Sequence, residues 1–356
     1  MNISSIAKAS GISVATVSRV INNESGVSEE LRRKTLAVIE SKGYRPRDNV
    51  RRGARIAMVV RAGATSFDNF FAQVFTGIST YAFEQGVETT LLYHGAKTGE
   101  TEANLTLTEL LRKKRCNGAV LISPLDPKEE RELLAARIPT VLVTNRPNRP
   151  DGEGIGFIDC DNHRGAKEQT EYLLRLGHRR IGYLCGQIEG MVDNQDRIAA
   201  YQQAMRAAGV EPDPGWIVPH RPTAVTEQAG YDQCRQLLEK HPDVTAIFAN
   251  NDAMAYGAVS ACAELGLRVP EDISVVGYDD NPTSRFYNPP ITTMRQPLRE
   301  MGAMAAQWVD MKLKDNRFVL PKKIIRGELI VRKSCAPPRQ RGVLRALPSD
   351  SHLVHP

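Results

Sequence analysis

Residues 3–22 read ISSIAKASGISVATVSRVIN, and the rest of the chain is organised around this stretch. Two short helical patterns flank a break at Gly11. The first runs over 4–10, with Ile3, Ile6 and Ala7 as its apolar face. The second begins at Ser13, a residue that caps a helix by accepting a hydrogen bond from first-turn backbone N–H groups. Val17, Val20 and Ile21, spaced i, i+3, i+4, turn inward. The opposite face carries Val14, Ala15, Thr16, Ser18, Arg19 and Asn22, which are small, polar or basic. Such a face suits a helix laid in the major groove of DNA, which admits one α-helix and offers base edges to an arginine. An ordinary N-terminal helical hairpin is the alternative.

A third helical pattern covers 28–42. Ser28 is its N-cap, Glu29 and Glu30 sit at the positive end of its dipole, and Leu31, Thr35, Val38 and Ile39 form its apolar side. Tyr44-Arg45-Pro46 then opens a linker over 47–55 with four arginines and one acid. Residues 1–55 hold 11 Lys/Arg against 5 Asp/Glu, whereas residues 56–334 hold 33 against 35. A basic head on a near-neutral body points to a polyanionic partner for the head alone. A basic surface that merely keeps the head solvated is the competing reading.

From residue 56 the pattern changes to short apolar strands alternating with helices. Strands are expected over 56–60, 89–93, 118–122, 140–144 and 155–159, then over 181–185, 217–219, 246–249 and 274–278. Two such series predict two doubly wound, parallel α/β lobes. A helix over 298–314 and a strand over 323–330 must join one lobe or the other. The predicted class is multidomain: a small all-α helix-turn-helix head, residues 1–46, a short basic hinge over 47–55, and a two-lobed, Rossmann-like α/β core over 56–334. The first lobe is expected to hold 56–158 and 292–318, the second 159–291 and 319–334. The Pro- and Arg-containing tail, 335–356, reads as disordered.

Several chemistries are excluded. The six cysteines form no C-x-x-C pair, so free thiols are expected rather than zinc or disulfides. With no export signal apparent, this predicts a cytoplasmic, nucleoid-associated protein. No apolar run approaches a membrane span. Neither a dinucleotide fingerprint after a strand, nor a P-loop, nor a nucleophile elbow occurs. His178, in a helix-to-strand turn, reads as a dipole partner rather than a base. No enzyme activity, cofactor or metal is expected.

The polar residues that stand out follow strand ends: Asp159 and Asp161, Asn250 to Asp252, Asp279 and Asp280. Ligands of open α/β sheets bind along that edge. Arg197, near the start of a helix, reaches the same crevice. With Phe70 and Phe71 at the opposite lip, this set suits a polyhydroxylated ligand, because Asp and Asn pair with hydroxyls and an aromatic face covers a sugar ring. Helix capping by Asp252 or Asp280 is the plainer alternative.

The segments IAKASGIS at 6–13, VATVSRVIN at 14–22, VS at 27–28 and GYRP at 43–46 closely resemble the LacI family of bacterial transcription regulators. LGHRRI at 176–181, ANNDAMA at 249–255, GLRVPEDISVVGYDD at 266–280 and PITTMRQP at 290–297 extend the resemblance over roughly residues 3–334. It implies a homodimer on double-stranded, near-palindromic operator DNA, most often a repressor, with a periplasmic-binding-protein-like core for a small, sugar-like effector. By motif, Val14, Ala15 and Arg19 would read bases, while Ser13, Thr16, Ser18 and Asn22 would contact phosphates. Arg197, Asn251 and Asp279, with Asp161, Phe70 and Phe71, would hold the effector. One departure is evident. Gly53 stands where the family's hinge leucine would enter the minor groove, and glycine costs a helix about 1 kcal/mol against alanine. Arg47 and Arg51 are expected to grip phosphates or a narrow minor groove there instead. A solute-binding protein for transport shares the core pattern and is the alternative from another functional class. A Rossmann-type enzyme is weaker for want of a phosphate fingerprint.

Overall fold

The computed structural model describes residues 3–21, 26–41, 54–61, 69–95, 105–122, 124–146, 154–186, 191–219 and 227–339. The hinge residues Arg47, Arg51 and Gly53, and Asn22 of the head, lie outside them.

In the head, α1 (Ile3–Ser10), α2 (Val14–Ile21) and α3 (Glu29–Ser41) pack together. Gly11 makes the turn at φ +66°, a conformation costly to residues with a Cβ. Ser13 caps α2: the Thr16 N–H donates to Ser13 Oγ at 3.1 Å. Ile6, Ala7 and Val17 form the small core, with Ile12, Val38 and Ile39 packed against it. Thr35 is also buried, its hydroxyl donating to the Leu31 carbonyl at 2.7 Å. Leu31 departs from expectation. It shares a face with Thr35 and Val38 but lies a full turn earlier, and 38% of it remains exposed.

The core opens with β1 (Arg55–Arg61), α4 (Asn69–Gln85), β2 (Glu88–His94), α5 (Leu107–Lys113), β3 (Gly118–Leu121), α6 (Pro127–Ala135), β4 (Thr140–Val143) and β5 (Ile155–Cys160). It continues through α7 (Asn162–Arg175), β6 (Ile181–Leu184), α8 (Val192–Ala207), β7 (Ile217–Val218), α9 (Glu227–Lys240), β8 (Ala246–Ala249), α10 (Asp252–Glu264) and β9 (Ser274–Asp279). The last elements are β10 (Thr292–Arg295), α11 (Leu298–Lys314), β11 (Lys322–Ile325) and β12 (Glu328–Ile330). Helix starts follow sequence chemistry. Thr106 and Glu109 form a reciprocal capping box on α5, and Asp126 and Glu129 form another on α6.

Two six-stranded sheets result, ordered β11-β5-β4-β3-β1-β2 and β12-β10-β9-β8-β6-β7. All pairings are parallel except β10 with β12. The central strands are buried apolar runs, as expected when helices cover both faces. In both sheets the order reverses beside the first strand of the lobe, which sets a crevice at the C-terminal strand ends.

The crossings between lobes differ from expectation at two points. Thr292–Arg295 pairs with β9 in the second sheet, not the first, so the chain crosses just before α11. Lys322–Ile325 pairs with β5 in the first sheet, not the second. The single strand expected over 323–330 is therefore two, broken at Arg326-Gly327, each half serving a different sheet. Four apolar residues carry no mark of which edge they extend; pairing register decides it. The tail also begins later than expected. The Ala336 N–H donates to Ser274 Oγ at 3.0 Å, and its carbonyl lies 3.0 Å from His178 Nε2. His178 is consequently not a charged dipole partner. Burial pushes its pKa down to about 4, and the neutral ring lies 2.9 Å from the Thr245 hydroxyl and 3.1 Å from that of Ser274. All six cysteines are free thiols.

Candidate functional site

The crevice between the lobes is built around Arg197, on the second turn of α8 and only 4% exposed. Its Nε donates to Asn162 Oδ1 at 2.9 Å, at the start of α7. Its Nη1 donates to the Asn250 carbonyl at 2.8 Å, just past β8. Nη2 lies 3.4 Å from Asp193 Oδ2, four residues earlier on the same helical face. The guanidinium centre stacks 3.8 Å from the centroid of the Tyr278 ring. Burial works against this cation, but Asp193 and Asp279 hold it protonated above the ordinary arginine range.

Asp159, near the end of β5, faces the same group. Its Oδ1 accepts from the Cys160 N–H at 2.8 Å and from Asn162 Nδ2 at 3.2 Å. Burial, reinforced by the Asp193 charge, pushes its pKa up to about 7, while Arg146 and Arg197 act in the opposite sense. Asp279 Oδ1 accepts from Gln296 Nε2 at 2.8 Å. Three residues at strand ends adopt positive φ: Thr144 (+62°), Asp279 (+116°) and Asp280 (+55°). Such backbones cost on the order of 1–3 kcal/mol each and cluster where side chains are aimed at a ligand.

Several direct contacts tie the lobes together around this group. Asn69 Nδ2 and Gln73 Nε2, from α4, each lie 3.4 Å from an acceptor in the second lobe, Thr283 Oγ1 and Asn281 Oδ1. Arg146, past β4, forms an ion pair with Asp196 of α8. Asn145 Nδ2 lies 3.8 Å from the Met191 sulfur.

The expected ligand residues therefore fall into three situations. Arg197 and Asp279 share one charged cluster. Asp161 and Asn251 cap α7 and α10, accepting from the Arg164 and Met254 N–H groups at 3.0 and 2.9 Å. Phe70 and Phe71 lie edge to face on α4 (ring centroids 5.6 Å apart), next to the residues that reach across the crevice. Asp252 is not the cap of α10. It is a buried hub accepting from the Asn281 N–H and the Ser284 and Thr293 hydroxyls at 2.6–2.7 Å. Asp280 does not cap either; it pairs with Arg295 and Arg332. Asp193, Asn145, Asn162 and Gln296 were not legible as cleft residues. Only Asp193 carried a usable signal, its i,i+4 spacing to Arg197.

In the head, Ser13, Val14, Ala15 and Arg19 are exposed on one side of α2, and Thr16 and Ser18 are half-buried. Val14 keeps 44% of its surface open to solvent, although an apolar residue gains by burial.

Residues 2–47 match the model for bacterial regulatory proteins of the lacI family, and residues 170–335 match a periplasmic binding protein-like domain. Over 340 residues the chain is 32% identical to the HTH-type transcriptional repressor PurR of Haemophilus influenzae, an alignment covering 93% of this chain and 98% of that one. The chain belongs to the LacI family. Its similarity to the HTH-type transcriptional regulator DegA of Bacillus subtilis is 28% over 339 residues, covering 93% and 97%. Among solved structures, a complex of the regulator CelR with cellobiose superposes with a TM-score of 0.70 at 29% identity, covering 94% and 99%. The lac repressor dimer bound to operator and an anti-inducer gives 0.68 at 25% identity, covering 93% and 98%. This LacI-family chain is thus a DNA-binding transcription regulator with a ligand-binding core, and not an enzyme. Among the described residues, no helix is long and apolar enough to cross a membrane, and no group of three or more metal-ligating side chains comes together.

Proposed function

We propose that this protein binds its operator as a homodimer and represses transcription there, and that a polyhydroxylated, sugar-like molecule held between the lobes sets its operator affinity. On this reading it works in the cytoplasm, on the nucleoid. The observation that carries the proposal is the Arg197 cluster. Asp159 from the first sheet meets Arg197, Asp193 and Asp279 from the second lobe, so anything bound there reports on how the lobes sit together. The relatives support it: PurR is a repressor, and CelR was solved with cellobiose.

Val14, Ala15 and Arg19 then read base edges, with Arg19 suited to a guanine. Ser13, Thr16, Ser18 and Asn22 approach phosphates, and Arg47 and Arg51 add grip from the hinge. Arg197, Asp279, Asn251 and Asp161, with Phe70 and Phe71 across the crevice, hold the effector. Binding there favours one arrangement of the lobes, and the dimer transmits it to the spacing of the two heads on their half-sites. A fluorescence-anisotropy titration of operator against shuffled DNA tests the head. Arg19→Ala should reduce that discrimination at least tenfold, as losing one bidentate base contact costs about 1–3 kcal/mol. Unchanged discrimination would refute the assignment.

A further inference from the structure

We infer that the effector carries a protonated amine on its polyhydroxylated frame, in the manner of an amino sugar. This rests on the cleft reading above and narrows it. Four side-chain oxygens around Arg197 have no hydrogen-bond partner: Asp159 Oδ2, Asp193 Oδ1, Asn145 Oδ1 and Gln296 Oε1. Each belongs to a residue at most 7% exposed. They sit at the end of β5, the start of α8, the end of β4 and the end of β10, the positions that the topology brings to the crevice. A buried acceptor without a donor is costly, and a buried carboxylate without one more so. All four call for donors. The Gln296 oxygen cannot be exchanged for its nitrogen, because Nε2 already donates to Asp279, which as a carboxylate only accepts.

Charge separates the possible ligands further. Asp159, Asp193 and Asp279 surround the single cation Arg197, and Arg146 at the rim is taken by Asp196. Arg197 directs its donors to Asn162, Asn250 and Asp193, and none of its bonds reaches Asp159. A neutral polyol would supply donors and leave the excess negative charge in place. A sugar acid would add to it. An ammonium brings three donors and the missing positive charge together.

The test is a thermal-shift and calorimetric panel on the full chain at pH 6.5, using matched probes: glucosamine, galactosamine and mannosamine, each beside its parent sugar and its N-acetyl derivative, with glucuronate as the anionic control. At least one amine should bind tenfold or more tighter than both its uncharged partners. Asp193→Asn should remove that preference. Asp159→Asn keeps the acceptor for Cys160 and Asn162 and deletes only charge. It should weaken amine binding and raise the melting temperature of the ligand-free protein by about 2–4 °C, which also shows that the variant folds. Equal binding of a neutral partner, binding of glucuronate, or a panel with no responding amine would overturn the inference. If a neutral sugar binds and Arg197→Ala abolishes that binding, the cleft reading survives without the amine. Binding insensitive to both Arg197→Ala and Asp279→Ala would sink the cleft reading itself.

Discussion

At the scale of single residues, the cleft spends stability on readiness. Asp159 ordinarily titrates near 3.8, and burial beside Asp193 pushes it to about 7 in the folded chain. The folded state therefore holds a proton that the unfolded state releases between those two values. Asp159 contributes most at low pH, and its contribution is lost as pH rises from about 4 to 7. His178 slopes the other way. Its folded pKa is depressed to about 4, so its contribution is complete above the ordinary histidine value near 6.5 and is lost as pH falls towards 4. Asp159→Asn removes the first slope and leaves the second. Urea unfolding from pH 4 to 8 should show the variant's advantage over the parent growing with pH, by about 2–4 kcal/mol in total, since one pKa unit is worth about 1.4 kcal/mol. An advantage that does not change with pH would mean that Asp159 is ionised throughout.

Among the secondary-structure elements, packing is closest where glycine permits it. A Cβ built on Gly257 of α10 would fall within van der Waals contact of the Glu227 carbonyl at the start of α9, and one on Gly77 of α4 would strike the Arg299 carbonyl of α11. Alanine is worth about 1 kcal/mol more than glycine within a helix, but overpacking against backbone costs about 1–3 kcal/mol and here has no flexible side chain to displace. The second effect should win at Gly257. We expect Gly257→Ala to lower the unfolding free energy by about 2 kcal/mol, read from the urea midpoint at constant m-value. A change under 0.5 kcal/mol would show that α9 and α10 part freely.

The elements also show what could be read from residue order. Helix starts were legible because caps are local: Ser13, Thr106 and Asp126 each act on a backbone group two or three residues away. Membership of a sheet was not. β10 and β11 have similar composition and lie within thirty residues of each other, yet they extend opposite lobes, a matter of long-range register. The site divides in the same way. Arg197 and Asp279 stood out as polar groups at helix and strand ends. The use of Asn251 as a cap, and the donors that Asn162 and Gln296 direct into the cluster, depend on contacts 17 to 35 residues apart.

On the scale of the whole molecule, the claim is that one crevice and one helix face communicate. The head offers α2, with its exposed Val14, Ala15 and Arg19, and the core offers a cluster assembled from both lobes. Family membership establishes a DNA-binding regulator with a ligand-binding core, and the coupling is the proposal. Linkage requires that coupling to be reciprocal: a ligand that shifts operator affinity by some factor must have its own affinity shifted by operator to the same degree. The most direct test is therefore a paired titration on the full-length dimer at fixed salt, measuring operator affinity with and without the cleft ligand, and ligand affinity with and without operator. The account predicts equal factors, about 5- to 150-fold, both abolished by Asp279→Ala. A ligand that occupies the cleft and leaves operator affinity unchanged would contradict it.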